Sequence, residues 1–105
     1  LLGATVEGDP EAVKILADRL TEFLGKSVVI LGTVHSGRGF LVAKVLGVEK
    51  VSAGEIVKTG AKVLGGSGGG RPNFAQGGGP RGENLQEAIA AAVEHARTGL
   101  RQIQS

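Results

Sequence analysis

Cysteine is missing from this sequence, which removes disulfides, thiolate metal sites and cysteine nucleophiles together. The lack of disulfides fits a reducing compartment, and a cytoplasmic location is expected. Tryptophan, tyrosine and methionine are absent as well, and three phenylalanines are the only aromatics. A core must therefore be aliphatic, made of Leu, Val, Ile and Ala. With no methionine to begin it, and with Leu1-Leu2-Gly3 already reading as ordered structure, the chain reads as a fragment excised from a longer one. No apolar run approaches the ~18 residues of a membrane span, and no signal-peptide pattern opens the chain, so no membrane partner is expected. His35 and His95 are the only histidines, and without cysteine they make a poor metal site. No serine–histidine–acid arrangement is suggested either. An enzyme reading of this piece alone has little to stand on.

What is present suffices for one folded unit. The chain has 105 residues, 41% of them hydrophobic, so a single domain over residues 1–105 with one core is expected. Its net charge is +2 and its pI is near 9.3, a mildly basic balance that licenses no claim about nucleic acid by itself. Where the charges fall is what matters.

Three segments carry a helical period. Val13, Leu16, Ala17, Leu20 and Leu24 share one face of the first; Asp9 suits its cap, Pro10 its first position and Gly25 its left-handed stop. In the second, Ser52 and Glu55 make a capping box and Ile56, Val57, Ala61 and Leu64 the buried stripe, before Gly65-Gly66 end it. Gly60 in its middle lowers helix propensity by ~1 kcal/mol relative to Ala. In the third, Asn84 and Glu87 repeat the capping logic. Its seam is Leu85, Ile89, Ala92, Val93, Ala96, Leu100 and Ile103, with Arg97 and Arg101 toward the C-terminal end that favours cations.

Two β-branched runs separate the first two helices. Ser27 to Thr33 reads as a strand buried on both faces and Gly39 to Val48 as a second, joined by hairpin-turn composition at His35-Ser36-Gly37-Arg38. A short strand at Leu2 to Val6 precedes them. The expected architecture is α+β: a single two-layer domain, a small mixed β-sheet with helices packed mainly on one face.

One segment does not look like scaffold. Residues 65–82 hold nine of the 19 glycines and two arginines, with no acidic residue. Glycine loses the most backbone freedom on folding, so a fold keeps such a run where something must approach closely. Successive free N–H groups at Gly68, Gly69 and Gly70 could form an anion-binding nest. Arg71 and Arg81 add charge-assisted contacts to phosphate. Arg71-Pro72-Asn73-Phe74-Ala75-Gln76 is not linker composition, so an ordered turn is expected, with a short edge strand at Asn73 to Gln76. The segment lacks Gly-Lys-Ser/Thr and follows a helix, which excludes a Walker loop and a dinucleotide fingerprint.

Gly-Gly-Ser-Gly-Gly-Gly-Arg-Pro-Asn-Phe-Ala-Gln-Gly-Gly-Gly at 65–79 resembles the signature of the DHH-associated domain found at the C-terminus of alanyl-tRNA synthetases. The order of helix, paired strands, helix, motif and final helix agrees over nearly the whole chain. The resemblance implies a non-catalytic domain that contacts the outer corner of tRNA-Ala and helps aminoacylation and editing act on one tRNA. It implies no cofactor in this piece; ATP, magnesium and the zinc of editing belong to the rest of the parent synthetase, which is the other implied partner. In some members the region also contributes to a homodimer. The RNA-binding candidates are Gly68, Gly69, Gly70, Arg71, Asn73, Gln76, Arg81, Lys62 and Arg38, with an ordinary exposed helix face as the plainer reading of Lys62 and Lys58. A second reading is the substrate-binding half of a DHH phosphoesterase, whose members generally carry His or another residue after the glycine run. Arg71-Pro72 points to the synthetase branch.

Overall fold

The computed structural model describes residues 1–101; Ile103, expected at the end of the third seam, lies outside them. Along the chain run β1 (Leu2–Thr5), α1 (Pro10–Leu24), β2 (Ser27–His35), β3 (Arg38–Leu46), α2 (Ala53–Val63), β4 (Ser67–Gly70), β5 (Phe74–Gly79), a 3-10 turn (Gly82–Asn84) and α3 (Leu85–Arg101). The strands form one sheet in the order β1-β2-β3-β5-β4. Only β1 runs parallel to its neighbour; the other pairs are antiparallel, so the sheet is mixed.

Alternation along β2 explains its unbroken apolar run. Val29 and Leu31 pack with Val13 and Ala17 of α1 on one face. Val28 and Ile30 pack with Ile56, Val57, Ala92 and Ala96 of α2 and α3 on the other. A strand apolar on both sides needs cover on both. The α+β class and the mixed sheet are as expected, and two of the three helices share a face. The third, α1, adds a partial layer over β1 to β3.

Local signals set most element ends. Asp9 Oδ1 accepts from the Ala12 N–H at 2.9 Å, capping α1 as expected. The β2–β3 turn is the two-residue kind, with Ser36 (φ 53°) and Gly37 (φ 78°) both left-handed. At the end of α2 the Gly66 N–H reaches Ala61 O at 3.0 Å and the Gly65 N–H reaches Lys62 O at 3.1 Å, the paired bonds of a Schellman stop. Gly60, unfavourable by propensity, lets α2 lie close against β3 and α3. A methyl there would lie 2.5 Å from Leu41 Cδ1 and 3.1 Å from Ala88 O.

Two expected caps are not made. Ser52 precedes α2 but its side chain makes no capping bond. The Ala53 N–H donates instead to Pro72 O at 2.8 Å and the Gly54 N–H to Arg71 O at 3.2 Å. Distant carbonyls thus satisfy the free amides that a capping box would otherwise serve. Asn84 likewise does not cap α3; its Nδ2 donates to Val63 O at 3.2 Å, at the far end of α2.

Candidate nucleic-acid interface

The glycine run is not a loop. Ser67–Gly70 and Phe74–Gly79 pair as an antiparallel hairpin, β4 against β5, and β5 also pairs with β3. The expected edge strand at Asn73 to Gln76 is therefore an internal strand that extends to Gly79. As the edge strand, β4 turns its N–H groups alternately to the β5 ladder and to the open edge, so they do not converge as the expected nest of successive free N–H groups. The glycines are needed for proximity. A methyl at Gly68 would fall 2.7 Å from both Gly77 Cα and Val57 Cγ1, so α2 rests directly on the hairpin backbone.

That contact covers one side of the hairpin and leaves the other open. On the α1 side, strand register aligns Phe40, Gly78 and Ser67 in one row, Val42, Gln76 and Gly69 in a second, and Lys44 with Phe74 in a third. Over β1 to β3 this face lies under α1, where Phe74 packs against the helix. Over β4 and the far half of β5 this face is open among the described residues, with Ser67, Gly69 and Gln76 exposed. A methyl on Gly69 would meet no atom within 4 Å. Between the start of α1 and the hairpin runs a groove of about 400 Å³, whose lining includes Arg38, Phe40, Ser67, Gln76 and Gly78.

Cations stand at both ends of this platform. At one end the Arg71-Pro72-Asn73 turn is closed by the Arg71 N–H donating to Phe74 O at 2.9 Å, and Val45 N–H donates to Asn73 O at 2.9 Å. Exposed Arg71 there shares a groove of about 330 Å³ with Lys14, Lys44, Asp18 and Phe74. The Lys14 ammonium lies 5.9 Å from the centre of the Phe74 ring, within cation–π range. Lys44 pairs with Asp18. At the other end, Arg38 opens β3 and Arg81 follows β5; the Arg81 N–H donates to Leu64 O at 2.9 Å. Its side chain runs beside Gly65, three residues past exposed Lys62 in the last turn of α2.

The nine nominated residues thus fall into two groups rather than one. Gly68, Gly69, Gly70, Arg71, Asn73 and Gln76 belong to the hairpin and its turn, while Arg38, Arg81 and Lys62 gather at the opposite end. At ~3.3 Å per residue, β5 holds Arg71 and Arg81 about 20 Å apart. Gln76 and Arg38 line the same groove. Sequence reasoning missed Lys14, Lys44, Phe40 and Ser67. A signal existed for two of them: Phe40 and Lys44 share the parity of Val42 along β3, which places all three on the α1 face.

Elsewhere the charges are ordinary. Glu94 holds Arg97 at 3.3 Å and Arg101 at 3.8 Å on the outer side of α3. His35 and His95 are exposed. Among the described residues no three of His, Cys, Asp or Glu come together in a way that could hold a metal ion. Nor is any helix there long and apolar enough to cross a membrane.

A mixed five-stranded sheet whose glycine hairpin is pressed onto a helix and open on its other side defines the class: the chain belongs to the DHHA1 domain family, which matches residues 1–98. Within that family its similarity runs to alanine–tRNA ligases. It is 42% identical over 102 residues to the alanine–tRNA ligase of Anaeromyxobacter dehalogenans and 44% identical over 97 residues to that of Desulfosudis oleivorans. These alignments take in 95% and 90% of this chain, which spans about 11% of the length of each relative. Among solved structures it resembles the C-Ala domain of Aquifex aeolicus alanyl-tRNA synthetase, at 35% identity and a TM-score of 0.73, over 85% of this chain and 82% of that one.

Proposed function

We propose that this chain is the tRNA-binding C-terminal module of an alanine–tRNA ligase, holding the outer corner of tRNA-Ala against the open face of the β4–β5 hairpin. The observation that carries this is the uncovered glycine platform with Arg71 at one end and Arg38, Arg81 and Lys62 at the other. RNA at such a corner offers phosphates, 2′-hydroxyls and base faces. A side-chain-free strand surface lets an RNA backbone approach, and guanidinium groups at the two ends of the strand take phosphates on either side of the contact. Asn73 and Gln76 supply hydrogen bonds between them. The relatives being ligases favours this reading over the phosphoesterase one.

On this reading the module carries no catalysis. It works with the rest of its parent, in the cytoplasm, by keeping one tRNA engaged while the aminoacylation and editing domains act. ATP, magnesium and zinc serve those domains. A homodimer is the further partnership the family implies, and sedimentation at two concentrations tests it.

The test of RNA binding is a titration with tRNA-Ala and with a tRNA whose corner is disrupted, across a salt series. Each phosphate contact contributes roughly −0.7 to −0.9 to the slope of log affinity against log salt. Corner-dependent binding is expected, and Arg71→Ala should weaken it and flatten the slope by about one such step. Equal binding of the two RNAs, or indifference to Arg71→Ala, would overturn the proposal.

A further inference from the structure

The geometry points to a nucleobase site in the groove at the Arg38 end of the platform, taking one unpaired base of an RNA loop, with the adjoining phosphate on Arg38. It rests on the reading of the chain as an RNA-binding module and deepens it. The lining that matters is Pro10, Arg38, Phe40, Ser67, Gln76 and Gly78.

Each contributes something a base requires. Phe40 is half-buried, so its ring is held by the fold yet still presents a surface. Gly78 stands opposite it across the strands, and a methyl there would meet Gly39 O at 2.4 Å and Phe40 Cδ1 at 3.2 Å, so glycine is what fits beside the ring. Pro10, at the start of α1, supplies a second apolar surface. Ser67 and Gln76 are exposed in the same two rows, and between them offer donors and acceptors to the polar edge of any base. Arg38, also exposed, meets the phosphate.

The other grooves do not combine these features. The one beside Arg71 contains Asp18, that near Thr5 contains Glu7, and that near Asn73 contains Glu49. The one at Leu1 and Leu24 has Lys26 but no aromatic ring. Among these five grooves of the described residues, the Arg38 groove is the one that joins a cation, an aromatic face and neutral polar groups with no carboxylate in its lining. A planar, uncharged base with a polar rim and a neighbouring negative charge suits that set, and stacking on an aromatic ring tolerates every base.

The experiment compares two RNAs: a blunt duplex, and the same duplex with a single bulged 2-aminopurine. The bulged RNA should bind about tenfold more tightly, and its fluorescence should fall as the base stacks. Phe40→Leu, which keeps an apolar side chain, should bring the two RNAs to equal affinity. Arg38→Gln should reduce the preference and lower the salt slope of the bulged complex by roughly 0.7 to 0.9. Equal binding of both RNAs by the unaltered chain, or a preference that survives both substitutions, overturns the site. Should Phe40→Leu prevent folding, unchanged 2-aminopurine emission at saturation of the unaltered chain overturns it equally. The two proposals fail separately. If Arg71→Ala weakens both RNAs and no bulge preference exists, only the groove is lost. If tRNA-Ala itself does not bind, or its binding ignores Arg71, the RNA-binding reading itself is lost.

Discussion

At the scale of single residues, the sequence motif and the structure assign different duties to neighbouring glycines. Gly69 faces open space, whereas Gly77 sits under α2: a methyl there would be 2.6 Å from Gly68 Cα and 2.9 Å from both Ser67 O and Val57 Cγ1. Two of these neighbours are backbone, which cannot turn aside as a side chain would. Gly77→Ala should therefore destabilise the domain by about 1–3 kcal/mol, as overpacking does, and urea unfolding would read it. Gly69→Ala should leave that midpoint nearly unchanged. Should the two variants unfold alike, glycine's role in the run is not steric. Arg71, Gln76 and Arg81 were legible as candidates because their types are rare within a glycine run. Lys14 was not, since its approach to the motif depends on how α1 lies across the sheet, which no spacing within the helix encodes.

At the scale of elements, helices and apolar strands could be read because their side chains repeat at the period of the backbone. Pro10–Leu24, Ala53–Val63 and the β2–β3 hairpin were all visible in that way. Strand β4 and the Gly77–Gly79 end of β5 were not, because Ser67-Gly68-Gly69-Gly70 and Gly77-Gly78-Gly79 have almost no side chains to alternate. Their pairing is set by main-chain ladders and by the helix lying on them. The capping boxes failed for a related reason. Ser52 and Glu55 have the right spacing, but a carbonyl pair 17 and 19 residues further along the chain takes the first amides of the helix. Gly54 makes that seat, since a methyl on it would lie 2.9 Å from Gly70 O. Alanine is better than glycine in a helix by ~1 kcal/mol, so Gly54→Ala would stabilise α2 if the seat were unimportant. We expect instead that it displaces the Arg71 turn and lowers tRNA affinity to the level of Arg71→Ala, with the double variant no weaker than either. A double-mutant cycle on binding decides it, and additive losses would mean that Gly54 does not act through Arg71.

At the scale of the whole molecule, the charge balance is small and its arrangement carries the argument. A net charge of +2 gives little long-range attraction for RNA, so on the proposed reading binding would come from a few placed contacts. Four of them, from Arg38, Lys62, Arg71 and Arg81, would give a log–log salt slope of about −3. A slope steeper than about −6 would point to a much broader cationic surface than this fold presents. Short-range contacts of that kind suit a module that works alongside other tRNA-binding domains, where tethering raises effective concentration. The arrangement at the start of α2 has a spectroscopic consequence. Its first two amide protons, on Ala53 and Gly54, are held by the carbonyls of Pro72 and Arg71. Their exchange with deuterated water is therefore a gauge of whether the turn is seated, and it can be followed in the unlabelled complex without a probe on the RNA. If RNA clamps the turn, those two protons slow together while amides in the middle of the helix keep their rate.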